Sequence, residues 1–395
     1  MKFVWVTREV PLTPVHGAHS YSNGLLRGLL DTGAQGELVS YALPDGGGVE
    51  IAGLTQRLSP APSPPRALSL LTSLPSDAYR LKSERLARDL ETALQGAPDA
   101  VLIDFYAMGW VAPLLRRHRE AAGGRGPRAV YVSHQYEQAL RPEVARDFVG
   151  SPAMRLALSL DADKAARLER RLVADCDLIT AITERDRRKF QQDAPDTPVL
   201  TLSPGYEGAP APDWRIGPDT PRQVILAGAF NWIAKKRNFR RFLEAAEVPF
   251  REAGIKILLV GQAEPDFIAD IMGRSQICAF TGFVPEIAPY LQQGRIGLMP
   301  DEVGGGFKLK YLDYVFASLP IATIASQLSD LPIDPSADVI SAPTAAELVT
   351  AIVEAIDDFP RLNAMKSRAL AACSGAFRWA DRGRKLADAI ATLKS

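Results

Sequence analysis

Short β-rich runs alternate with helical patterns along almost the whole chain, and the alternation restarts after a Pro- and Gly-rich break. In the first half the runs lie at 3–7, 38–42, 100–105, 129–133, 177–182 and 199–202. A helical pattern covers 18–30, and an amphipathic one covers 77–95 after a Pro- and Ser-rich stretch at 59–75. Residues 204–222 hold five prolines and three glycines and read as a linker. Beyond it, runs recur at 224–227, 256–260, 277–281, 296–299 and 321–324. Alternation of this kind demands parallel strands joined by covering helices, so the fold class is α/β with two doubly wound, Rossmann-like domains. The expected domains are 1–203 and 223–376. An amphipathic helix within 377–395 either closes the second domain or crosses back to the first. Such sheets bind ligands outside their C-terminal strand ends, and two such ends facing across a cleft form the expected site.

Lys plus Arg and Asp plus Glu both number 46. A neutral chain has no global field for nucleic acid, so any anion site must be local. The three cysteines, Cys176, Cys278 and Cys373, lie far apart without a CxxC spacing and read as small buried apolar residues rather than disulfides or zinc ligands. The apolar run at 3–6 is followed at once by Arg8 and Glu9, which marks a first strand rather than a leader. With no run approaching a membrane span, the expected location is cytoplasmic. Walker A, Gly-x-Ser-x-Gly and His-Glu-x-x-His motifs are missing from the sequence.

The local chemistry concentrates at 299–323, where a strand end is followed by Gly304, Gly305 and Gly306, then Phe307, Lys308, Leu309 and Lys310. Glycines at a helix start leave backbone N–H groups open to an anion, and Lys308, placed one turn inside that helix, adds a full charge. Lys310 lies about 200° from Lys308 on an ideal helix and reads as structural. Asp313 brings a carboxylate to the same face, so the stretch suits a nucleoside diphosphate, with Lys308 on the phosphates and Asp313 on the ribose hydroxyls. Lys235 or Lys236 offers a second cation. His134 follows the run at 129–133 at a C-terminal strand edge and is a candidate for the donor sugar or leaving group. His16, in the first loop, is a candidate acceptor contact. His118 lies among Arg116, Arg117 and Arg119 and reads as solvated. Asp161 and Asp163 sit inside a helical pattern, where pairing with Lys164 or Arg167 explains them more simply than a metal does. No metal site is expected.

Several segments together resemble the GT-B glycosyltransferases, in particular the family 4 type that moves a sugar from a nucleoside diphosphate. The run Thr13-Pro14-Val15-His16-Gly17 is similar to that family's glycine-bearing first loop, and residues 168–183 to its helix and acidic turn before a Thr-rich strand. Residues 225–238, including Gly228, Lys235, Lys236 and Asn238, resemble the strand, glycine and basic loop that open the donor site. Residues 282–291 are similar to the segment framing the base. The resemblance implies that Gly17, Lys235, Lys236, Gly305, Gly306, Phe307 and Lys308 meet the diphosphate, Asp313 the ribose, and Phe283 and Val284 the base, although an apolar pair at a strand end also suits a core. Many members carry two glutamates eight residues apart. Here Gly305 stands at the first position and Asp313 at the second, as in a glycine-rich variant, which leaves Asp301 or Glu302 to replace the sugar-facing carboxylate.

The implied activity is transfer of a hexose-type sugar from a nucleotide sugar, UDP- or GDP-linked, to a hydroxyl acceptor, saccharide or lipid-linked, with retention and without a metal or other cofactor. His134 and Lys308 are the expected catalytic residues. A sugar-nucleotide epimerase and a non-catalytic binding scaffold remain open as alternatives. The segment 54–88 mixes Leu70, Leu71 and Leu74 with Arg57, Arg66, Arg80, Lys82, Arg85 and Arg88, and offers either a peripheral membrane contact or a solvated helix.

Overall fold

The computed structural model describes residues 1–10, 17–43, 50–146, 148, 150–206, 214–230, 233–302, 307–328 and 330–393. The chain divides into two compact units: Met1–Gly205 with Gly305–Phe307 and Arg378–Ser395, and Tyr206–Gly304 with Lys308–Phe377.

Among the described residues the first unit builds its sheet from β1 Lys2–Val6, β2 Gln35–Tyr41, β3 Leu54–Ser59, β4 Ala100–Asp104, β5 Arg128–Val132, β6 Leu178–Ala181 and β7 Val199–Thr201. Their order is β3-β2-β1-β4-β5-β6-β7, and every pairing is parallel. Strand β4, Ala-Val-Leu-Ile-Asp, is buried at all five positions, as a parallel strand covered on both faces must be. The order reverses between β1 and β4, which places a switch point at the C-terminal ends of β1, β4 and β5.

The second unit repeats the plan with β8 Gln223–Ala227, β9 Lys256–Val260, β10 Cys278–Phe280, β11 Ile296–Met299, β12 Ile321–Ile324 and β13 Val339–Ala342. Here the order is β10-β9-β8-β11-β12-β13, again all parallel, with the switch between β8 and β11. Two parallel sheets with flanking helices thus match the doubly wound class read from the sequence.

Four expectations need correction. The amphipathic pattern at 77–95 is two helices, Ser76–Leu81 and Glu84–Leu94, because Lys82 and Ser83 are extended and Ser83 caps the second by accepting from the Leu86 N–H. The segment 54–88 is not one basic face: 54–59 is β3, Leu74 packs on the core, and Arg57 and Arg85 pair with Glu37 and Asp89. Asp161 does not pair along its own helix; it accepts from the Ser76 N–H at 2.6 Å and hydroxyl at 3.0 Å. Lys164 donates to the Ser69 carbonyl at 2.8 Å. The helix after the glycines begins at Lys310 and ends at Phe316, so Lys308 precedes it instead of lying one turn inside.

The C-terminal helix Trp379–Thr392 lies against Gly17–Leu30 within the first unit. Backbone meets backbone there: a Cβ on Gly383 would stand 1.8 Å from the Gly28 carbonyl oxygen, and one on Gly24 would stand 2.0 Å from the Trp379 ring. Glycine is required at this seam because any side chain would force the helices apart. Gly383→Ala should therefore cost about 1–3 kcal/mol, measured by urea unfolding. A cost below about 0.5 kcal/mol would mean that the seam is loose.

Candidate functional site

In the second unit the switch point is built on glycines. Gly228, just past β8, has φ +122° and donates its N–H to Val260 at 2.7 Å. Gly261, just past β9, has φ +132°, and a Cβ there would stand 2.5 Å from the Gly228 carbonyl oxygen. A Cβ on Gly228 would in turn meet Lys310, 2.5 Å from its Cε and 2.6 Å from its Nζ. The glycine thus makes room for the ammonium group.

Lys310 is held there by its helix. Tyr314, one turn on, is fully buried. Its hydroxyl accepts from the Ala227 N–H at 3.0 Å and faces the Ile225 and Leu298 carbonyls, both at 3.2 Å. Gly297 in β11 leaves space for the ring, since a Cβ would meet it at 2.7 Å. The helix start is thereby fixed to the ends of β8 and β11.

Around Lys310 the charges converge. Lys308 Nζ lies 3.2 Å from Asp301 Oδ2 and donates to the Gln327 side chain at 3.0 Å. Asn238, buried, donates to Asp301 Oδ1 at 3.2 Å. Burial alone would raise the Asp301 carboxyl, but Lys308 and Lys310 outweigh it and hold it below the ordinary carboxylate range. Burial pushes Lys310 down to about 8, and the charges of Lys235 and Lys308 push the same way against Asp301 and Asp313. Lys235 is also lowered by burial, with Asp301 opposing. Burial lifts Asp313 to about 6 against the pull of Lys310 and a hydrogen bond from Tyr206, whose ring stacks on Phe316 at 4.5 Å.

The sequence reading therefore needs revision at three lysines. Lys310, taken as structural, stands within the cluster beside Gly228; the angular argument fails because Lys308 is not on the helix. Lys235 joins the cluster, whereas Lys236 turns to Glu264 at 2.5 Å. Lys308 is an ion-pair partner of Asp301 with a side chain 13 % exposed. Glu302 pairs with Arg241 at 2.9 Å while its carbonyl takes the Gln327 amide at 2.9 Å. Phe307 is half-buried. His16, Gly305 and Gly306 lie outside the described residues, and Gly17 opens the helix Gly17–Leu30. Phe283 is no core residue: it is 76 % exposed, one position past Gly282, which is bridged to Gly261, and Val284 is half-buried beside it.

The first unit has its own group at its switch point. His134 Nε2 lies 2.6 Å from Asp104 Oδ1 and 3.4 Å from the Ser22 hydroxyl. Asp104 ends β4 and also accepts from the Trp5 indole N–H at 3.1 Å. Burial works to raise the Asp104 carboxyl, but His134, Ser22 and Thr7 hold it below its ordinary value. An ionised Asp104 fixes the proton on Nε2 and leaves Nδ1 as an acceptor, buried without a hydrogen-bond partner. Phe105 follows with φ +80°, its ring 4.3 Å beneath the Arg8 guanidinium, a strained backbone of the sort that clusters at functional sites. The sequence reading named His134 and missed Asp104. Sheet register brings the two together, because Asp104 pairs with Val132 at the ends of adjacent parallel strands. Lys310 and Asp313, three apart on a helix, could have been read as a pair.

Residues 221–358 match the family model described as "Glycosyl transferases group 1". No curated protein matches the chain in sequence. Among solved structures, a sucrose-phosphate synthase from Thermosynechococcus elongatus is similar over 99 % of this chain and 98 % of its own, at 14 % identity and a TM-score of 0.73. WaaG, a glycosyltransferase involved in lipopolysaccharide biosynthesis, is similar over 99 % and 100 %, at 14 % identity and 0.66. HepE of Anabaena, solved with UDP and glucose, is similar over 100 % of both chains, at 14 % identity and 0.61. The fold is thus that of the two Rossmann-like domains of GT-B proteins. The match over residues 221–358 and these structural likenesses together support a glycosyltransferase.

A lysine whose folded value lies below its ordinary 10.5 costs stability whenever it is charged. For Lys310 that cost, roughly 3 kcal/mol, is complete below about pH 8 and gone above about 10.5. Lys310→Met should remove it, less a part returned through a further rise at Asp313. Melting at pH 7 should move up by about 3–6 °C, and the gain should shrink above pH 8. A lower melting temperature at pH 7 would make Lys310 a structural cation.

Proposed function

We propose that this chain is a retaining glycosyltransferase of the family 4 type that moves a hexose-type sugar from a UDP- or GDP-linked donor to a hydroxyl acceptor. The observation that carries the reading is Lys310, half-buried against Gly228 with Lys235, Lys308 and Asp301 about it and Asp313 on its own helix. Cations with lowered values in a desolvated strand-end site are poised for an arriving polyanion.

In the transfer, the bond from the sugar anomeric carbon to the diphosphate oxygen breaks and its electrons go to the leaving phosphate. A new bond forms from the acceptor oxygen to the anomeric carbon, and the acceptor proton passes to a phosphate oxygen. Negative charge therefore grows on the diphosphate, where fixed ammonium groups stabilise it most in the transition state. Lys310 and Lys235 serve the phosphates, and Lys308 joins them through its Asp301 pair. Asp313 accepts from the ribose hydroxyls once Tyr206 yields, Phe283 offers an open face to the base, and Val284 supports it. On the first unit, His134 Nδ1 accepts from a hydroxyl of the sugar or acceptor, with Asp104 fixing its tautomer. Asp301 stands in as the carboxylate upstream of the glycines, as a member of the phosphate cluster and not as a nucleophile.

The deciding experiment is a thermal-shift panel of nucleoside diphosphates and nucleotide sugars, with donor hydrolysis as the test of turnover. Stabilisation by UDP or GDP without hydrolysis would favour a binding scaffold, and no stabilisation by either would end the reading. Asp313→Asn should erase the preference for a ribo- over a 2′-deoxynucleoside diphosphate, an effect that a purely structural carboxylate would not produce. Diphosphate affinity should fall about tenfold per pH unit above 8 in the wild type, as Lys310 loses its proton. It should be lower and flat in Lys310→Met; parallel pH curves would remove Lys310 from the phosphate site.

A further inference from the structure

One buried carboxyl, which the transfer reading leaves unused, holds the turn around His134 from both sides. Tyr131, ahead of His134 in β5, places its hydroxyl 2.8 Å from Glu169 Oε1. Gln138, beyond His134, donates its N–H to Glu169 Oε2 at 3.0 Å, and the Glu137 N–H reaches the same carboxyl. The first N–H groups of the helix Glu137–Arg146, which have no partner within that helix, are thus answered from the helix Pro152–Asp175. Inside the turn, the Ser133 hydroxyl donates to the Gln135 carbonyl and the Gln135 amide to Glu137, both at 2.9 Å.

The charges around Glu169 leave it without a cation. Glu169 is fully buried, and the group facing it from the helix Glu137–Arg146 is a second buried carboxylate, Glu137. Glu137 takes Arg141 Nε at 2.8 Å, while the other end of that guanidinium goes to Asp77 at 2.6 Å, over the ring of Tyr106. The Tyr106 hydroxyl also donates to Asp77, at 3.2 Å. Arg170, on the helix of Glu169 itself, donates to the Gln138 side chain at 3.1 Å. From the helix Glu184–Asp193, Asp193 accepts from Tyr136 and Gln138 at 2.8 and 2.7 Å, and Lys189 lies over the Tyr136 ring. From the helix Ala112–Ala121, Arg116 pairs with Asp175 at 3.2 Å. Among the described residues no cation pairs with Glu169, so it keeps its proton: burial, and then Glu137, push it up to about 8. Because the Gln138 N–H can only donate, the proton stands on Oε1, where the Tyr131 hydroxyl oxygen accepts it.

We propose that Glu169 is a positioning residue for His134, a clasp that closes the turn between Tyr131 and Gln138 and opens when its carboxyl is ionised. An ionised Glu169 stands against Glu137, whose one cation, Arg141, is already shared with Asp77. Two buried like charges repel, and parting the start of the helix Glu137–Arg146 from Glu169 relieves them. Gln138 then leaves Oε2, and the turn loses its hold on one side. Asp104 keeps His134 Nε2 at 2.6 Å, so the ring stays paired while its backbone support shifts. The inference rests on the reading of His134 as a site residue, and its test needs no sugar transfer.

The test is NMR of the full chain with selectively labelled histidine. The sequence has four histidines, and His134→Asn assigns the imidazole signal of interest. On raising the pH, the wild-type His134 signal should move with an inflection near 8. Glu169→Gln offers a donor and an acceptor in the same place without a titrating proton, and should abolish that inflection. Lys310 also titrates at about 8, so Lys310→Met should leave the inflection in place. Glu137→Gln removes the facing charge and should lower the inflection by about one pH unit, which keeps the test decisive if Glu169→Gln fails to fold. A carboxyl raised from 4.5 to about 8 costs stability where it is ionised. The gain in melting temperature of Glu169→Gln over the wild type should therefore grow from pH 4.5 to 8 and stay level above it. That gain with a flat wild-type His134 signal would make Glu169 structural only and overturn the proposal. So would an inflection that survives Glu169→Gln, one lost in Lys310→Met, or one unmoved by Glu137→Gln. A flat His134 signal ends this inference alone, whereas failure of the nucleotide panel ends the transfer reading and leaves the measurement untouched.

Discussion

A desolvated ammonium group beside a glycine is the constraint on which the second unit's site depends. Lys310 sits in the space that any side chain on Gly228 would fill, and it is pinned there by Tyr314 at the ends of two strands. Taking such a charge from water costs several kcal/mol unless opposite charges and hydrogen bonds answer it. Asp301 and Asp313 supply the opposite charges, and Lys235 and Lys308 partly undo their effect. The cluster thus holds more positive charge than it neutralises. An excess of this kind has little structural value, and a polyanion relieves it.

The first unit solves a different problem with the same topology. Its switch point collects a histidine and an aspartate from neighbouring strands, and the buried carboxylate sets which imidazole nitrogen carries the proton. The orientation relies on Trp5 as well, because its indole occupies the second carboxylate oxygen. Behind this group, Gly24, Gly28 and Gly383 let the C-terminal helix pack directly on the first helix. Tyr21 stands between the two, edge-on to His134 at 5.5 Å and to Trp379 at 5.8 Å. Glycine-mediated packing and the placement of His134 are therefore linked through one ring.

Most of the fold was legible because buried parallel strands are nearly continuous apolar runs, as β4 and β8 are. The strands that escaped, β3 and β13, are edge strands; β3 reads Leu-Thr-Gln-Arg-Leu-Ser and is half-buried at its centre, so its pattern resembles a loop. The site was legible in place but not in detail. Residues 299–313 were singled out from their composition, yet the place of Lys310 in the charge cluster was missed because helical phase was counted from Lys308, which precedes the helix. Asp104 was missed because nothing within its own segment distinguishes it from the end of an apolar strand. Its partner lies 30 residues away and meets it through sheet register. Contacts set by sheet register and by glycine-made space are properties of the assembled backbone, and local composition does not encode them.

The departure at Gly305 also fits the electrostatics. A sugar-facing carboxylate eight residues before Asp313 would add a negative charge to a region that already holds Asp301 and Asp313. Asp301 is bound on both oxygens, by Asn238 and by Lys308, and is held ionised, so it carries no proton to give as an acid. Proton transfer in the proposed reaction then falls to the group whose basicity rises as the bond breaks, the departing phosphate. An enzyme that works in this way needs cations that favour the charged leaving group more than any carboxylate of its own. Three lysines around one half-buried aspartate are the composition that such a mechanism requires.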